Sequence, residues 1–403
     1  MNRSTPMPSL RTTSLLFGLA FLGITLGQPG GIGTLPVSFL LKDRFHFAAS
    51  GVALFFALVN APFYLKPLAG LVSETWLSRI KQRKQIVVAS LATIVCWEIA
   101  ASASSSFPAL GIGLFVTVLF IVFINTVAAG LMVEIGQKQH ATGRFSAIRA
   151  VTEALGVIIS GTLGGYLAGK PIAETAAVGA LCFALVAWAA SHIHFTQNGL
   201  RARPNLGSQF LRLIHTPTLG LISLILFLVL AAPGLQTTLL YFQTDILHFS
   251  PQFIGELTAV TGLAALAGAG LYAYSCRKVA VRKLLWVGIA GYLLATLSYL
   301  LYRSADTALA IGAANGLALA LAGLPVLDLA TRSCPPGLEA AAFGVILSVT
   351  DAATSLSDIG GSTLYSHYHV SFYALVWLNV LATIIAIPFV MRLPRAMTDR
   401  SDT

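Results

Sequence analysis

Apolar runs of about 20 residues recur along nearly the whole chain, and about 20 apolar residues is the length at which an α-helix crosses the hydrocarbon core of a bilayer. Only 10% of the 403 residues are charged, against roughly 25% in a soluble domain. So little charge cannot clothe a water-facing surface of this size, so the bilayer must be the solvent for most of it. By this ruler the sequence predicts twelve membrane helices. The first six cover residues 14–40, 48–73, 86–106, 108–132, 145–168 and 172–194. The second six cover 218–243, 251–275, 283–303, 306–330, 341–364 and 370–392. The fold class expected is an all-α membrane protein.

The basic residues agree with that count. With the N-terminus placed in the cytoplasm, 20 of the 25 Lys and Arg fall on that side. Four (Lys42, Arg44, Lys170 and Arg303) fall on the other, and Lys66 lies within a span. This is the positive-inside bias of membrane proteins, and one missed span would invert every later loop and destroy it. The expected location is a bacterial inner membrane, with both termini cytoplasmic. The net charge of +10 is spent in these loop clusters, so nucleic acid is not an expected partner, whereas membrane lipid is.

The first apolar run is longer than the about 7–15 residues of a signal-peptide core, and it reads as a retained helix. Its middle, Gly27 to Gly33 (GQPGGIG), would break a helix in water. In a bundle, neighbouring helices and cavity water can satisfy the freed backbone groups. The four cysteines form no CxxC pair, so free thiols are expected rather than a disulfide frame or a metal site. The pairs His192/His194 and His367/His369 sit at helix ends without adjacent acids or cysteines and read as interfacial, not as metal ligands. No P-loop, zinc-spaced ligand set or nucleophile–base pair is present, so neither an enzyme nor a cofactor is expected.

The longest polar stretch, Thr196 to Gln209, divides the chain into six spans plus six. The expected domains are an N-terminal bundle at 1–195, a central cytoplasmic loop at 196–217 and a C-terminal bundle at 218–403. Gly70-Leu71 before Arg83-Lys84 is echoed by Gly270-Leu271 before Arg282-Lys283. Twelve spans with a central loop fit the major facilitator fold of two six-helix bundles.

Several segments carry a closer resemblance. They are Pro36 to Phe47 (PVSFLLKDRFHF), Asn60 to Glu74 (NAPFYLKPLAGLVSE), Tyr241 to Gly255 (YFQTDILHFSPQFIG), Gly270 to Leu285 and Pro325 to Ala352. Together they resemble the folate–biopterin transporter family of the major facilitator superfamily. The resemblance implies uptake of folates, pterins or related solutes, with protons as the coupling ion. The chain departs from the family pattern at Glu74, Ile80, Asn125 and Ala129. Gly70, Glu74, Arg83 and Lys84 match the superfamily loop between spans two and three. That match implies a conformational role, the acid pairing with a neighbouring helix end to favour the inward-closed state.

Ionisable groups at membrane depth cost several kcal/mol unless paired or wet, so they are the site candidates. Lys66 stands between Pro62 and Pro67, each of which removes a backbone donor. It either snorkels to the interface, locks to an acid on another helix, or holds a substrate carboxylate such as a folate glutamyl tail. Asp351, Thr354, Ser355 and Asp358 fall on one helical face. That stripe is either a helix–helix hydrogen-bonding seam or a cavity wall. As a wall, Asp351, Ser355 and Asp358 would bind substrate and Asp351 would carry a proton. Glu98 is the second candidate for proton coupling. Arg149 and Glu153, four residues apart, are expected to bridge one another and to act with the conformational gate.

The function expected is secondary active transport of folate- or pterin-like solutes, with protons. A drug or metabolite exporter of the same superfamily, or a non-transporting assembly factor on the same scaffold, are the alternatives. The oligomeric state is left open.

Overall fold

The computed structural model of the protein describes residues 10–75, 77, 80–138, 142–193, 220, 223, 224, 227, 228, 230–276, 278–332 and 339–391. These residues are helical throughout apart from turns. In chain order the helices are α1 (Leu10–Gly27), α2 (Thr34–Phe39), α3 (Ala49–Val59), α4 (Ala61–Tyr64), α5 (Lys66–Thr75), α6 (Gln82–Ser102), α7 (Phe107–Lys138) and α8 (Thr142–Leu167). They continue as α9 (Ile172–His192), α10 (Gln236–Tyr241), α11 (Pro251–Ser275), α12 (Val281–Ser298), α13 (Ala305–Arg332), α14 (Glu339–Ser366) and α15 (Phe372–Met391). Eight helices among the described residues are long and apolar enough to cross a membrane. The central loop expected at 196–217 lies outside the described residues.

The chain forms two units. One gathers Met1–Val37 and Val59–Arg203, the other Ser38–Leu58 and Pro204–Thr403. In the first unit, α1 packs against α8 and α9, and α6 packs against α7 and α9. Its interior holds Phe17, Phe21, Phe145, Trp97 and Phe183. The rings of Phe17 and Phe145 meet edge-on at 5.5 Å. In the second unit, α13 packs against α11 and α12, and α14 against α10. Phe242 stacks on Phe372 at 4.3 Å in a core with Tyr302, Ile311 and Val376. In lipid such contacts hold by packing and hydrogen bonds, because the surroundings are as apolar as the side chains.

Local sequence sets the helix ends. Ser250 caps α11, its Oγ accepting the Phe253 N–H at 3.2 Å, with Pro251 at the first helical position. Before α13, the Ser304 N–H donates to Thr307 Oγ1 at 2.9 Å and the Thr307 N–H returns to Ser304 Oγ, a reciprocal cap.

A terminator recurs three times in the second unit. His46, His248 and His369 each have a left-handed φ, of 54°, 52° and 54°. The following N–H then reaches a carbonyl six residues back: Phe47 to Leu41 at 3.0 Å, Phe249 to Gln243 at 2.9 Å and Val370 to Leu364 at 3.0 Å. Histidine is among the few non-glycine residues that tolerate this conformation. In the first two cases the preceding turn is a π-helix, Leu40–Arg44 and Phe242–Ile246.

The expected second span, 48–73, is not one helix. It breaks at Asn60 and again at Leu65 into α3, α4 and α5. Pro62 and Pro67 lack the N–H that a continuous helix would use. The Leu65 N–H turns back to Pro62 O at 3.1 Å, a tightened bond that closes the short α4.

Candidate functional site

Lys66 opens α5 directly after the second break, half-buried. Its ammonium lies 5.0 Å from the centre of the Phe63 ring, within cation–π range. Gly70 and Glu74 lie on the same helix, and the Glu74 side chain is outside the described residues. Arg83 is half-buried and Lys84 exposed, both in the first turn of α6.

Glu98 is exposed, one turn before the end of α6 rather than at mid-span. The expected span ran to residue 106, but the helix stops at Ser102, where a run of Ser and Ala begins. Arg149 and Glu153 form the bridge that their spacing predicts, 2.7 Å from Nε to Oε1. The Arg149 guanidinium also lies 4.9 Å from the centre of the Phe21 ring.

Asp351, Ser355 and Asp358 lie half-buried on α14. Thr354, on the same stripe, turns its hydroxyl onto the carbonyls of Thr350 and Asp351 at 3.0 Å. Asp358 is engaged across the unit. Its Oδ1 accepts the Thr237 N–H at 2.8 Å and its Oδ2 accepts the Thr237 hydroxyl at 2.6 Å.

Thr237 marks a helix break that the sequence reading did not single out. Residues 231–235 are not helical, and α14 and α15 stitch the gap. The Gly234 N–H donates to Ser357 O at 2.8 Å, Ser357 Oγ donates to Ala232 O, and Asn379 Nδ2 donates to Pro233 O at 3.0 Å. A Cβ on Gly361 would overlap the Gly234 carbonyl, so α14 and this strand of backbone touch directly.

The first run, expected as one span over 14–40, is interrupted at its glycine-rich middle. Helix α1 stops at Gly27 and α2 begins at Thr34. Trp97 Nε1 donates to Gly27 O at 2.9 Å, and the Ile32 N–H reaches Leu26 O at 3.1 Å. Pro29-Gly30 and Pro233-Gly234 therefore mark equivalent interruptions, followed by Asp-x-x-His-Phe at 43–47 and 245–249. That repeat is the signal that would have found both.

The turns that follow the two breaks meet within the second unit. Lys42 Nζ lies 2.6 Å from Asp245 Oδ1 and 5.4 Å from the centre of the Tyr241 ring. The Tyr241 hydroxyl donates to Phe47 O, and Ser366 Oγ donates to Ser50 Oγ at 2.9 Å. Cys96, Cys182 and Cys276 are free thiols. Among the described residues no cluster of His, Cys, Asp and Glu could hold a metal ion.

Two kinds of comparison bear on this arrangement. A folate-biopterin transporter of Synechocystis sp. is 28% identical, over 97% of this chain and 86% of its own. Folate transporter 2 of Plasmodium falciparum is 25% identical, over 83% of this chain and 77% of its own. Among solved structures, a D-xylose-proton symporter superposes with a TM-score of 0.75 at 12% identity, covering 96% of this chain and 98% of its own. The nucleoside transporter NupG gives 0.70 at 13% identity, over 96% and 98%. The fold is therefore an all-α, multi-pass membrane fold resembling that of these two structures. The profile of the BT1 family matches residues 27–403, and the chain belongs to the BT1 family.

Proposed function

We propose that the protein is a secondary active transporter that moves folate- or pterin-like solutes across a membrane by alternating access, driven by protons. The supporting observation is the family match over residues 27–403, joined by relatives named as folate or folate-biopterin transporters. In this reading twelve crossings form two six-helix bundles, 1–195 and 218–403, in a bacterial inner membrane with both termini cytoplasmic.

The residues take distinct parts. Lys66, at the doubly broken second span, offers a cation to a substrate carboxylate. The backbone carbonyls that Pro62 and Pro67 leave without a donor favour a wet, protein-lined setting for it over lipid. Asp351 and Ser355 face the solute from α14, and Asp358 anchors the far end of that stripe through Thr237. Glu98 and Asp351 exchange protons. Gly70, Glu74, Arg83 and Lys84, with the Arg149–Glu153 bridge, tune the conformational equilibrium.

Purified protein in proteoliposomes, given labelled folate or biopterin with and without an imposed pH gradient, tests this reading. Saturable uptake that rises with an inward proton gradient is expected. Absence of saturable uptake of either solute would refute the substrate assignment. Asp351→Asn is expected to keep binding and lose the response to the gradient.

A further inference from the structure

The turn between α1 and α2 has one packed side and one open side. Pro29, Ile32 and Gly33 are buried, and Gly164 of α8 lies against the Ile32 carbonyl. Gln28 is half-buried and Gly30 is exposed. A Cβ built on Gly30 meets nothing within 4 Å. The Gly30 N–H enters none of the backbone hydrogen bonds that close the turn.

Depth makes this unusual. Gly30 follows Arg11 by 19 residues and precedes Lys42 by 12. These charges bracket one apolar run, so the turn between them lies in the stretch that crosses the hydrocarbon core. Exposed irregular backbone at that depth does not face lipid; it faces protein or a water-filled cavity. Among the described residues nothing lies within 4 Å of a Cβ built on Gly30, which leaves water or solute as its neighbour. Interrupted spans at matching places in two halves of a transporter mark substrate sites. The matching interruption at residues 231–235 is filled by Ser357, Asp358 and Asn379, which leaves the turn at Gln28–Gly33 as the open one.

We infer that Gln28 and the bare backbone at Gly30 form a substrate subsite that receives the flat, uncharged, hydrogen-bonding head of the solute. This rests on the transport reading above and divides its chemistry. The stretch Gln28 to Gly33 carries no charge, and the carboxylate is assigned to Lys66. An N–H donor at Gly30 and a carboxamide at Gln28 match the alternating donors and acceptors along the edge of an amino-oxo-pyrimidine ring. Glycine lets a planar ring approach the backbone closely.

The experiment uses Gly30→Cys and Leu181→Cys in proteoliposomes, with the parent as baseline for the native thiols. The probe is a membrane-impermeant, sulfonate-bearing methanethiosulfonate. Leu181 is 69% exposed along a membrane-length helix and serves as the lipid-facing reference. Gly30→Cys is expected to react about ten-fold faster or more, equivalent to about 1.4 kcal/mol, and biopterin is expected to slow it. Equal rates at the two positions would overturn the subsite, as would fast labelling that biopterin leaves unchanged while the parent transports biopterin.

Gly30→Leu is expected to cut biopterin uptake about ten-fold or more, again about 1.4 kcal/mol, with unchanged thermal stability. Gly169→Leu, which also meets open space, should transport like the parent. Parental uptake in Gly30→Leu would likewise overturn the subsite. If the parent moves neither folate nor biopterin, the proposed function falls, while the labelling ratio still decides whether this turn faces water.

Discussion

The break after Gly27 and the break before Gln236 interrupt comparable helices in opposite ways. In the first, one neutral donor, Trp97 Nε1, ties down the Gly27 carbonyl and one side of the turn stays open at Gly30. In the second, a carboxylate, a hydroxyl and a carboxamide from α14 and α15 take up the backbone groups around Gly234 and Thr237. Freed backbone in a membrane must find partners. Here one break finds them in side chains, which makes it rigid. The other leaves an amide on offer, which makes it a place for a ligand. A helix interruption is thus not by itself a functional mark; what fills it decides.

The contrast is sharpest at the glycines. Gly361→Val would drive a side chain into the Gly234 backbone, with no flexible neighbour to yield. A destabilisation above about 3 kcal/mol is expected, the upper end of overpacking costs, read as loss of monodisperse protein and of thermal stability. Gly30→Ala should leave both unchanged. Similar losses in the two variants would erase the distinction between a filled and an open break.

Next in size is Asp358→Ala, which strands the Thr237 N–H and hydroxyl. About 2–3 kcal/mol is expected, since hydrogen bonds to a charged group are the costlier ones to remove. Asp358→Asn keeps one acceptor and should recover part of it in a thermal-shift assay. Trp97→Phe removes the indole bond to the Gly27 carbonyl and should cost about 1 kcal/mol. A cost for Trp97→Phe above that of Asp358→Ala would reverse the ranking of the two breaks.

The smallest effect is expected where the turns that follow the two breaks meet. Lys42 and Asp245 are 2.6 Å apart, but the Asp245 side chain is 45% exposed, so solvent and salt screen the pair. Lys42→Met should cost no more than about 1 kcal/mol, and a double-mutant cycle with Asp245→Asn should shrink as salt is raised. A coupling insensitive to salt would mark this contact as more than a surface pair.

Much of this was legible in the sequence where the cause is local. Arg149 and Glu153 lie one helical turn apart, so their bridge follows from helix geometry alone. The Gly27–Gly33 interruption and the kinks at Pro62 and Pro67 follow from backbone chemistry. Other features were present as a pattern but need the fold to acquire meaning. Asp-x-x-His-Phe occurs twice, yet only the left-handed φ of His46 and His248 shows it to be a helix terminator. Glu98 was misplaced relative to the helix end, because apolar length predicts a span better than it predicts where the last turn stops.

The sequence by itself determined that this chain lives in a bilayer as helices, because too few charges and repeated apolar runs leave no other solvent and no other backbone solution. It also pointed to the interruptions at Gly27–Gly33 and around Pro62 and Pro67, but not to the one at 231–235, and Pro325 and Pro388 stand inside unbroken helices. Only the tertiary structure decided what happens at each break. Thr237 and Asp358 are 121 positions apart, and Gly27 and Trp97 are 70. No local preference encodes whether such a partner arrives. The packing of α6, α14 and α15 supplies it in one place and withholds it at Gly30.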